Sequence, residues 1–176
     1  MLSARIASLD DLDRLSALMA RAISALQTPF LTPQQVEASK KVMGLDTALV
    51  RDGTYFVIEE MSDSGVEIVG CGGWSRRATL YGGDHSAGRD AALLDPATDA
   101  ARIRAMYTDP AHVRRGIGAM ILGLCEDAAR AEGFTRLQLM ATLAGEPLYR
   151  AHGFEEIERI LDQGVPLIRM GKAIRP

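Results

Sequence analysis

Val113-Arg114-Arg115-Gly116-Ile117-Gly118-Ala119 joins a predicted strand to a predicted helix, and the rest of the chain is interpreted outward from this turn. The first backbone N–H groups of a helix have no partner within it, and the helix dipole adds partial positive charge there. Gly116 and Gly118 have no side chain to cover those N–H groups, and Arg114 and Arg115 bring positive charge. The turn is therefore typical of a site that binds a pyrophosphate.

Two other nucleotide motifs fit this stretch less well. A dinucleotide-binding turn of the form G-x-G-x-x-G requires a third glycine, but position 121 is Ile121. A P-loop requires G-x-x-x-x-G-K-[ST], and the chain contains no such run. An ordinary helix start whose glycines serve only packing remains an alternative interpretation of the turn.

Strand-like and helix-like segments alternate on both sides of the turn, without internal repeats. The pattern predicts strands at 5–8, 54–59, 66–75, 101–108, 135–141, 154–160 and 165–172, and helices at 12–26, 32–44, 116–132 and 146–152. This order predicts an α/β fold with a mixed central sheet of seven strands flanked by helices. We expect a single domain over residues 1–176, interrupted by a long insertion loop at 76–99 that is rich in glycine and aspartate.

Composition limits the possible partners. The net charge of −3 argues against a nucleic-acid-binding surface, which would be strongly basic.

Cys71 and Cys125 lie in apolar stretches, which predicts buried free thiols in a reducing compartment. Residues 1–10 lack the apolar run of a signal peptide, and no stretch approaches the ~20 apolar residues that cross a bilayer. We expect a cytoplasmic protein with no membrane partner.

Two motifs together resemble those of the GNAT superfamily of acetyl-CoA-dependent N-acetyltransferases. That family has a strand ending near V-x-P and then [QR]-x-x-G-x-[GA] at the start of a helix. Tyr107-Thr108-Asp109-Pro110 and the turn at 113–118 occupy those places here. A later family segment, L-Y-x-x-x-G-F, is matched by residues 148–154, which read LYRAHGF. The order of elements is also similar, so the resemblance covers nearly the whole chain.

The resemblance implies a mostly antiparallel sheet with splayed central strands, acetyl-CoA as co-substrate, no metal, and a small-molecule or peptide amine as acceptor. The protein would act as a monomer or homodimer. The resemblance also implies that a backbone N–H of Tyr107 or Thr108 polarises the thioester carbonyl and that Tyr149 acts as an acid toward the leaving thiolate. Residues implied to bind the co-substrate are Met106, Tyr107, Thr108, Val113, Arg114, Arg115, Gly116, Ile117, Gly118, Ala119, Thr142 and Tyr149.

Three departures from the family pattern bear on the chemistry. Val113 stands at the [QR] position, and Thr142 stands where the family often has asparagine. Arg102 occupies the place where some members carry a glutamate base, and an arginine cannot act as one. The base is therefore unassigned, with Glu59, Glu60, Asp84 and His85 as candidates or water in their place.

The acceptor identity is left open by the sequence. We expect Trp74, Asp84 and His85 to lie on the acceptor side, although core packing is an equal alternative for Trp74. Arg76 and Arg77 hint at an anionic acceptor, with solvated charge as the simpler interpretation. The main hypothesis is an N-acetyltransferase. Its rivals are a non-catalytic acyl-CoA-binding or regulatory module of the same fold, and a nucleotide-binding oxidoreductase.

Overall fold

Seven strands form one sheet in a computed structural model that describes all of residues 1–176. The strands are β1 (Leu2–Ile6), β2 (Tyr55–Ser62), β3 (Gly65–Ser75), β4 (Ala101–Thr108), β5 (Arg136–Thr142), β6 (Glu155–Asp162) and β7 (Val165–Ala173). Their order across the sheet is β1-β2-β3-β4-β5-β7-β6, and only β4 and β5 run parallel. The predicted mixed, mostly antiparallel α/β fold is confirmed.

Five helices flank this sheet. They are α1 (Leu12–Gln27), α2 (Pro33–Val42), α3 (Thr47–Arg51), α4 (Ile117–Ala131) and α5 (Glu146–Ala151). The sequence pattern missed α3, because five residues are too few to show helical periodicity. Asp46 begins this helix by accepting a hydrogen bond from the backbone N–H of Ala48 at 3.0 Å. None of the helices combines the length and the apolar character that crossing a membrane requires.

The two faces of the sheet carry separate apolar cores. On one face, α4 and α5 cover a core that includes Ile103, Ile121 and Tyr149. On the other, α1 covers a core that includes Tyr55 and Tyr107. Each face therefore presents a different set of side chains to the space between the strands.

The central strands β4 and β5 splay apart, as expected. They pair only at Ala101–Leu137 and Arg102–Gln138, although both strands continue for several residues beyond these pairs. Just beyond these pairs, a bulge bends β4 where Ala105 adopts a left-handed φ of +50°. The Tyr55 hydroxyl donates to the Ala105 carbonyl at 2.6 Å and holds the bulge in place.

The 76–99 segment forms a loop whose two ends are tied together. An isolated bridge joins Arg77 to Leu93, and Thr79 N–H donates to the Asp90 carbonyl at 2.9 Å. Further along the loop, the Tyr81 hydroxyl donates to the Asp162 carboxylate at 2.7 Å, at the end of β6. The loop thus lies against the sheet at the side where β4 and β5 separate.

Candidate active site

A cavity of about 790 Å³ occupies the gap between β4 and β5. Residues of both strands line it, and it reaches both faces of the sheet. Gly116, Gly118, Leu148 and Tyr149 line it from the side of α4 and α5. Ala22, Ile23, Leu26, Val42 and Met43 line it from the side of α1 and α2. A molecule that enters from one face can therefore meet a molecule that enters from the other.

The glycine turn opens onto this cavity. Gly116 is the residue before α4 and has a left-handed φ of +81°, with open space where a Cβ would stand. Gly118 differs, because a Cβ there would come within 2.7 Å of the Leu148 side chain in α5. Gly116 therefore allows the left-handed backbone of the turn, whereas the missing side chain of Gly118 allows α4 and α5 to pack closely. The free N–H groups of the first turn of α4 lie at the wall of the cavity.

The two arginines of the turn have different surroundings. Arg114, at a left-handed φ of +64°, lines the cavity. Arg115 does not line it, since its guanidinium donates to both oxygens of Glu60 on β2 at 2.8 and 2.5 Å. This pairing lowers the pKa of Glu60 to about 2. Of the two predicted positive charges, only that of Arg114 faces the cavity without a carboxylate partner in the protein.

The backbone of β4 alternates in direction beside the gap. Asp109 N–H donates to the Val69 carbonyl at 2.9 Å, so the N–H of Asp109 points toward β3. Backbone groups alternate along a strand, and Tyr107 lies opposite Cys71, so the N–H of Tyr107 also points toward β3. The N–H of Thr108 then points to the gap, whereas the bulge at Ala105 breaks the alternation before Met106. This alternation favours Thr108 over Tyr107 as a backbone donor to a ligand.

Tyr149 presents its hydroxyl to the cavity without a hydrogen bond to any other protein group. The residue is 9% exposed, and its ring packs edge-to-face on Phe154, with centroids 5.8 Å apart. Burial raises the pKa of the Tyr149 hydroxyl above its ordinary value. The side chain is therefore a neutral hydrogen-bond donor at neutral pH, positioned by the apolar packing around it.

Eleven of the twelve residues implied to bind the co-substrate line this one cavity, and Arg115 is the exception. Val113, Ile117 and Ala119 belong to the turn that lines it. Thr142 lines it at the end of β5, where its hydroxyl accepts a hydrogen bond from Gly145 N–H at 3.1 Å. The sequence motifs thus identify residues that the fold brings together from three separate parts of the chain.

The three residues expected on the acceptor side do not line the cavity. Trp74 is buried in the core under α4, edge-to-face with Phe134 at 6.0 Å. Asp84 accepts hydrogen bonds from the N–H and hydroxyl of Thr47, both at 3.0 Å. His85 donates through Nε2 to the Lys40 carbonyl at 2.9 Å.

The other candidate bases and the nearby arginines are also occupied elsewhere. Glu59 accepts from Arg5 at 2.7 Å. Arg102 donates to Gln138 at 3.0 Å. Arg76 is paired with Glu132 and Arg77 with Asp52. None of these side chains lines the cavity, and no group of three or more His, Cys, Asp or Glu residues is arranged to hold a metal ion.

The resemblance implied that the first two helices and the 76–99 loop border the acceptor side, but the sequence did not identify the individual residues of α1, α2 and the 80–82 loop that line the cavity. The apolar helix residues among them look like ordinary core residues in a sequence. Arg104 is the one visible signal, a charged residue in an otherwise apolar strand end. The structure shows that its guanidinium donates to the Asp46 carboxylate and to the Gly82 carbonyl, both at 2.8 Å.

The cavity contains little charge. Its lining residues include no Asp, Glu, His or Lys, and the two charged ones are Arg104 and Arg114. Tyr81, Tyr107 and Tyr149 are its other ionisable residues. Burial raises the pKa of each tyrosine, to about 12 for Tyr81, where the Asp162 carboxylate adds to the effect. All three are therefore neutral at physiological pH.

Known proteins share this architecture. The family model for the acetyltransferase (GNAT) family matches residues 19–154. A GCN5-related N-acetyltransferase from Rhodopseudomonas palustris is similar in structure, with 19% identity over 98% of this chain and 95% of the other, and a TM-score of 0.68. The PaiA N-acetyltransferase from Thermoplasma acidophilum, solved in complex with coenzyme A, has 14% identity over 98% and 99% of the two chains and a TM-score of 0.64.

A third similar structure is the ribosomal-protein-S18-alanine N-acetyltransferase from Escherichia coli. It has 16% identity over 100% of this chain and 96% of the other, with a TM-score of 0.60. At these identities the structural likeness concerns the fold alone. Among curated protein sequences, no relative of the chain was found.

Proposed function

The chain belongs to the GNAT acetyltransferase family, and from this we propose that it moves an acetyl group from acetyl-CoA to an amine by direct attack. The observation that carries the proposal is the cavity between β4 and β5, which joins the glycine turn on one face to an apolar chamber on the other. Two substrates that enter from opposite faces would meet at the gap. The acceptor in this proposal is a small-molecule or peptide amine, and the protein acts in the cytoplasm as a monomer or homodimer.

The residues at the turn fit the diphosphate of acetyl-CoA. Gly116 and Gly118 place no side chain of their own over the N–H groups at the start of α4, and Arg114 supplies a positive charge beside them. The pantetheine arm would lie along β4, where the backbone groups of Met106 and Thr108 have no strand partner on the β5 side. Unpaired backbone groups of this kind bind an extended ligand as an additional strand would.

The chemical step requires few protein groups. The amine nitrogen attacks the thioester carbonyl carbon, and the C–S bond then breaks to release the CoA thiolate. We assign the Thr108 N–H to stabilise the tetrahedral oxyanion. The Tyr149 hydroxyl hydrogen-bonds the departing sulfur, and the proton lost by the amine reaches the thiolate or solvent. A thiol has a reference pKa of about 8.5, so it leaves without full protonation by a phenol of higher pKa.

The rival hypothesis is a non-catalytic acyl-CoA-binding or regulatory module. It is favoured by one specific observation, the absence of any carboxylate or histidine from the cavity lining. Free thiol release from acetyl-CoA, measured with a panel of amines, separates the two hypotheses. An acetyltransferase releases thiol in proportion to acetylated amine, whereas a binding module releases none with any amine.

The first test is thermal unfolding of the protein with acetyl-CoA, CoA or NAD. A ligand that binds only the folded state stabilises it by mass action, by about 2.7 kcal/mol at a hundredfold excess over Kd. We expect acetyl-CoA and CoA to raise the Tm by several degrees and NAD to leave it unchanged. Stabilisation by NAD alone would contradict the proposal and favour a dinucleotide site.

A further inference from the structure

The α1–α2 side of the cavity is a chamber without a counter-ion for a cation. We define this apolar chamber as the part of the cavity lined by α1, α2 and the 80–82 loop, with Gln27, Phe30, Met43, Tyr81 and Arg104 among its lining residues. Its single charge is the cation of Arg104. A protonated amine that enters this space meets no negative charge on the lining.

The carboxylates that touch lining residues are engaged in other bonds. Asp46 accepts from Arg104 at 2.8 Å, from Arg89 at 2.7 Å and from the N–H of Ala48 at 3.0 Å. Asp162 accepts from the Tyr81 hydroxyl at 2.7 Å and keeps its own charge, but it does not line the cavity. Because Asp46 is paired with two arginines, its negative charge is already compensated and does not attract an ammonium group.

The chamber does contain a neutral hydrogen-bond acceptor. The Gln27 side chain lines the cavity at the end of α1, and the residue is 4% exposed. Its Oε1 atom is buried without a hydrogen-bond partner in the protein. Buried polar atoms in native proteins are nearly always bonded, so this acceptor becomes available to a ligand donor once the Gln27 side chain turns toward the chamber.

Desolvation then selects among amines. Burial of an unpaired charge costs much more than burial of a neutral polar group, and the group responds by losing its charge. An alkylamine with a pKa near 10.4 is neutral in only about one molecule in a few thousand at pH 7. An arylamine is neutral at the same pH and carries its N–H donors into the chamber without a proton to lose first.

We propose that the acceptor is a weakly basic amine, neutral at pH 7, on an apolar body such as an aromatic ring. In this proposal the Gln27 side chain rotates to present Oε1 to the chamber, accepts a hydrogen bond from the amine N–H and so directs the nitrogen lone pair toward the gap. This inference rests on the proposed acetyl transfer and narrows it to a substrate class. It also accounts for a transferase cavity that lacks a carboxylate or histidine base, since a neutral amine attacks without prior deprotonation.

The test compares amines that match in size and differ in charge. Aniline and cyclohexylamine form one pair, and 4-butylaniline and 4-butylcyclohexylamine form a second that fills more of the chamber. With acetyl-CoA saturating at pH 7, we expect kcat/KM for each arylamine to exceed that of its partner by at least about tenfold. Between pH 7 and 9, kcat/KM should stay constant for the arylamines and rise about tenfold per pH unit for the alkylamines.

A single-residue change tests the missing counter-ion. Gln27→Glu keeps the shape of the side chain and adds a carboxylate, whereas Gln27→Met keeps the length and adds no charge. We expect Gln27→Glu to lower the arylamine-to-alkylamine ratio of kcat/KM by at least about tenfold, and Gln27→Met to leave alkylamines disfavoured. Met43→Glu, with Met43→Gln as its control, repeats the test from the end of α2 if Gln27→Glu does not fold. Thermal unfolding with acetyl-CoA identifies folded variants.

The outcomes distinguish the inference from the proposed function. An alkylamine that equals or exceeds its arylamine partner at pH 7 overturns the inference and leaves acetyl transfer standing. Acetylation of neither class, with acetyl-CoA bound, also overturns the inference and favours the binding module. If acetyl-CoA fails to stabilise the protein at all, the proposed function itself is wrong.

Discussion

The Arg104 guanidinium donates to the Asp46 carboxylate at 2.8 Å, and both side chains are only 2% exposed. The pair joins β4 to the start of α3. Arg104 also donates to the Gly82 carbonyl, and Arg89 of the same loop donates to Asp46 at 2.7 Å. One buried carboxylate therefore connects β4, α3 and the 76–99 loop at the wall of the cavity.

We expect Asp46→Asn to destabilise the protein by about 3–5 kcal/mol, because it leaves the buried charge of Arg104 without its counter-ion. Chemical denaturation at pH 7 measures the change. Asp127→Asn is the matched control, since Asp127 also pairs with an arginine, Arg130, but is 79% exposed. Its loss should cost less than about 1 kcal/mol. Similar losses in the two variants would show that burial of the first pair has no energetic consequence.

Acid should weaken the fold through Asp11. Hydrogen bonds from Arg5 lower the pKa of this carboxyl from 3.8 to about 2. Because the folded-state pKa lies below the unfolded value, the stabilisation is present above pH 4 and is lost as the pH falls toward 2. Asp11→Asn should therefore be less stable than the wild type at pH 7, with the difference shrinking between pH 4 and pH 2. Denaturation curves across this range test the prediction, and a constant difference would contradict it.

The sequence predicted the strands and the glycine turn because both have short-range signals. Strand alternation and the glycine pair at 116 and 118 are visible within a few residues. The Arg115–Glu60 and Arg104–Asp46 pairs are not, since each joins residues more than fifty positions apart. The apolar chamber was hidden for another reason. Leu26 has the same helical spacing as a core residue, and only the splay of β4 from β5 leaves a cavity beside it.

Gly116→Ala should weaken acetyl-CoA binding by at least about tenfold. The new methyl group strains a backbone at φ +81° and moves the N–H groups that we propose bind the diphosphate. A hydrogen bond from such an N–H to a charged group is worth about 1.5–3 kcal/mol. Gly123→Ala is the matched control, because it lies exposed within α4 and also has no neighbour within 4 Å of a Cβ. It should stabilise the helix by about 0.5–1 kcal/mol and leave binding unchanged. Calorimetric titration with acetyl-CoA measures both, and equal affinities would place the diphosphate elsewhere.

Tyr149→Phe should separate activity from stability. The Tyr149 hydroxyl has no partner in the protein, so its removal should leave the Tm nearly unchanged while turnover falls by roughly 10²-fold. Tyr107→Phe is the opposite case, because the Tyr107 hydroxyl accepts a hydrogen bond from Gly44 N–H at 2.9 Å. That variant should lose about 1 kcal/mol or more of stability through the unpaired N–H. Steady-state kinetics and thermal unfolding of both variants provide the comparison. Unchanged turnover in Tyr149→Phe would show that the ring only packs on Phe154 and that the thiolate leaves without help from this residue.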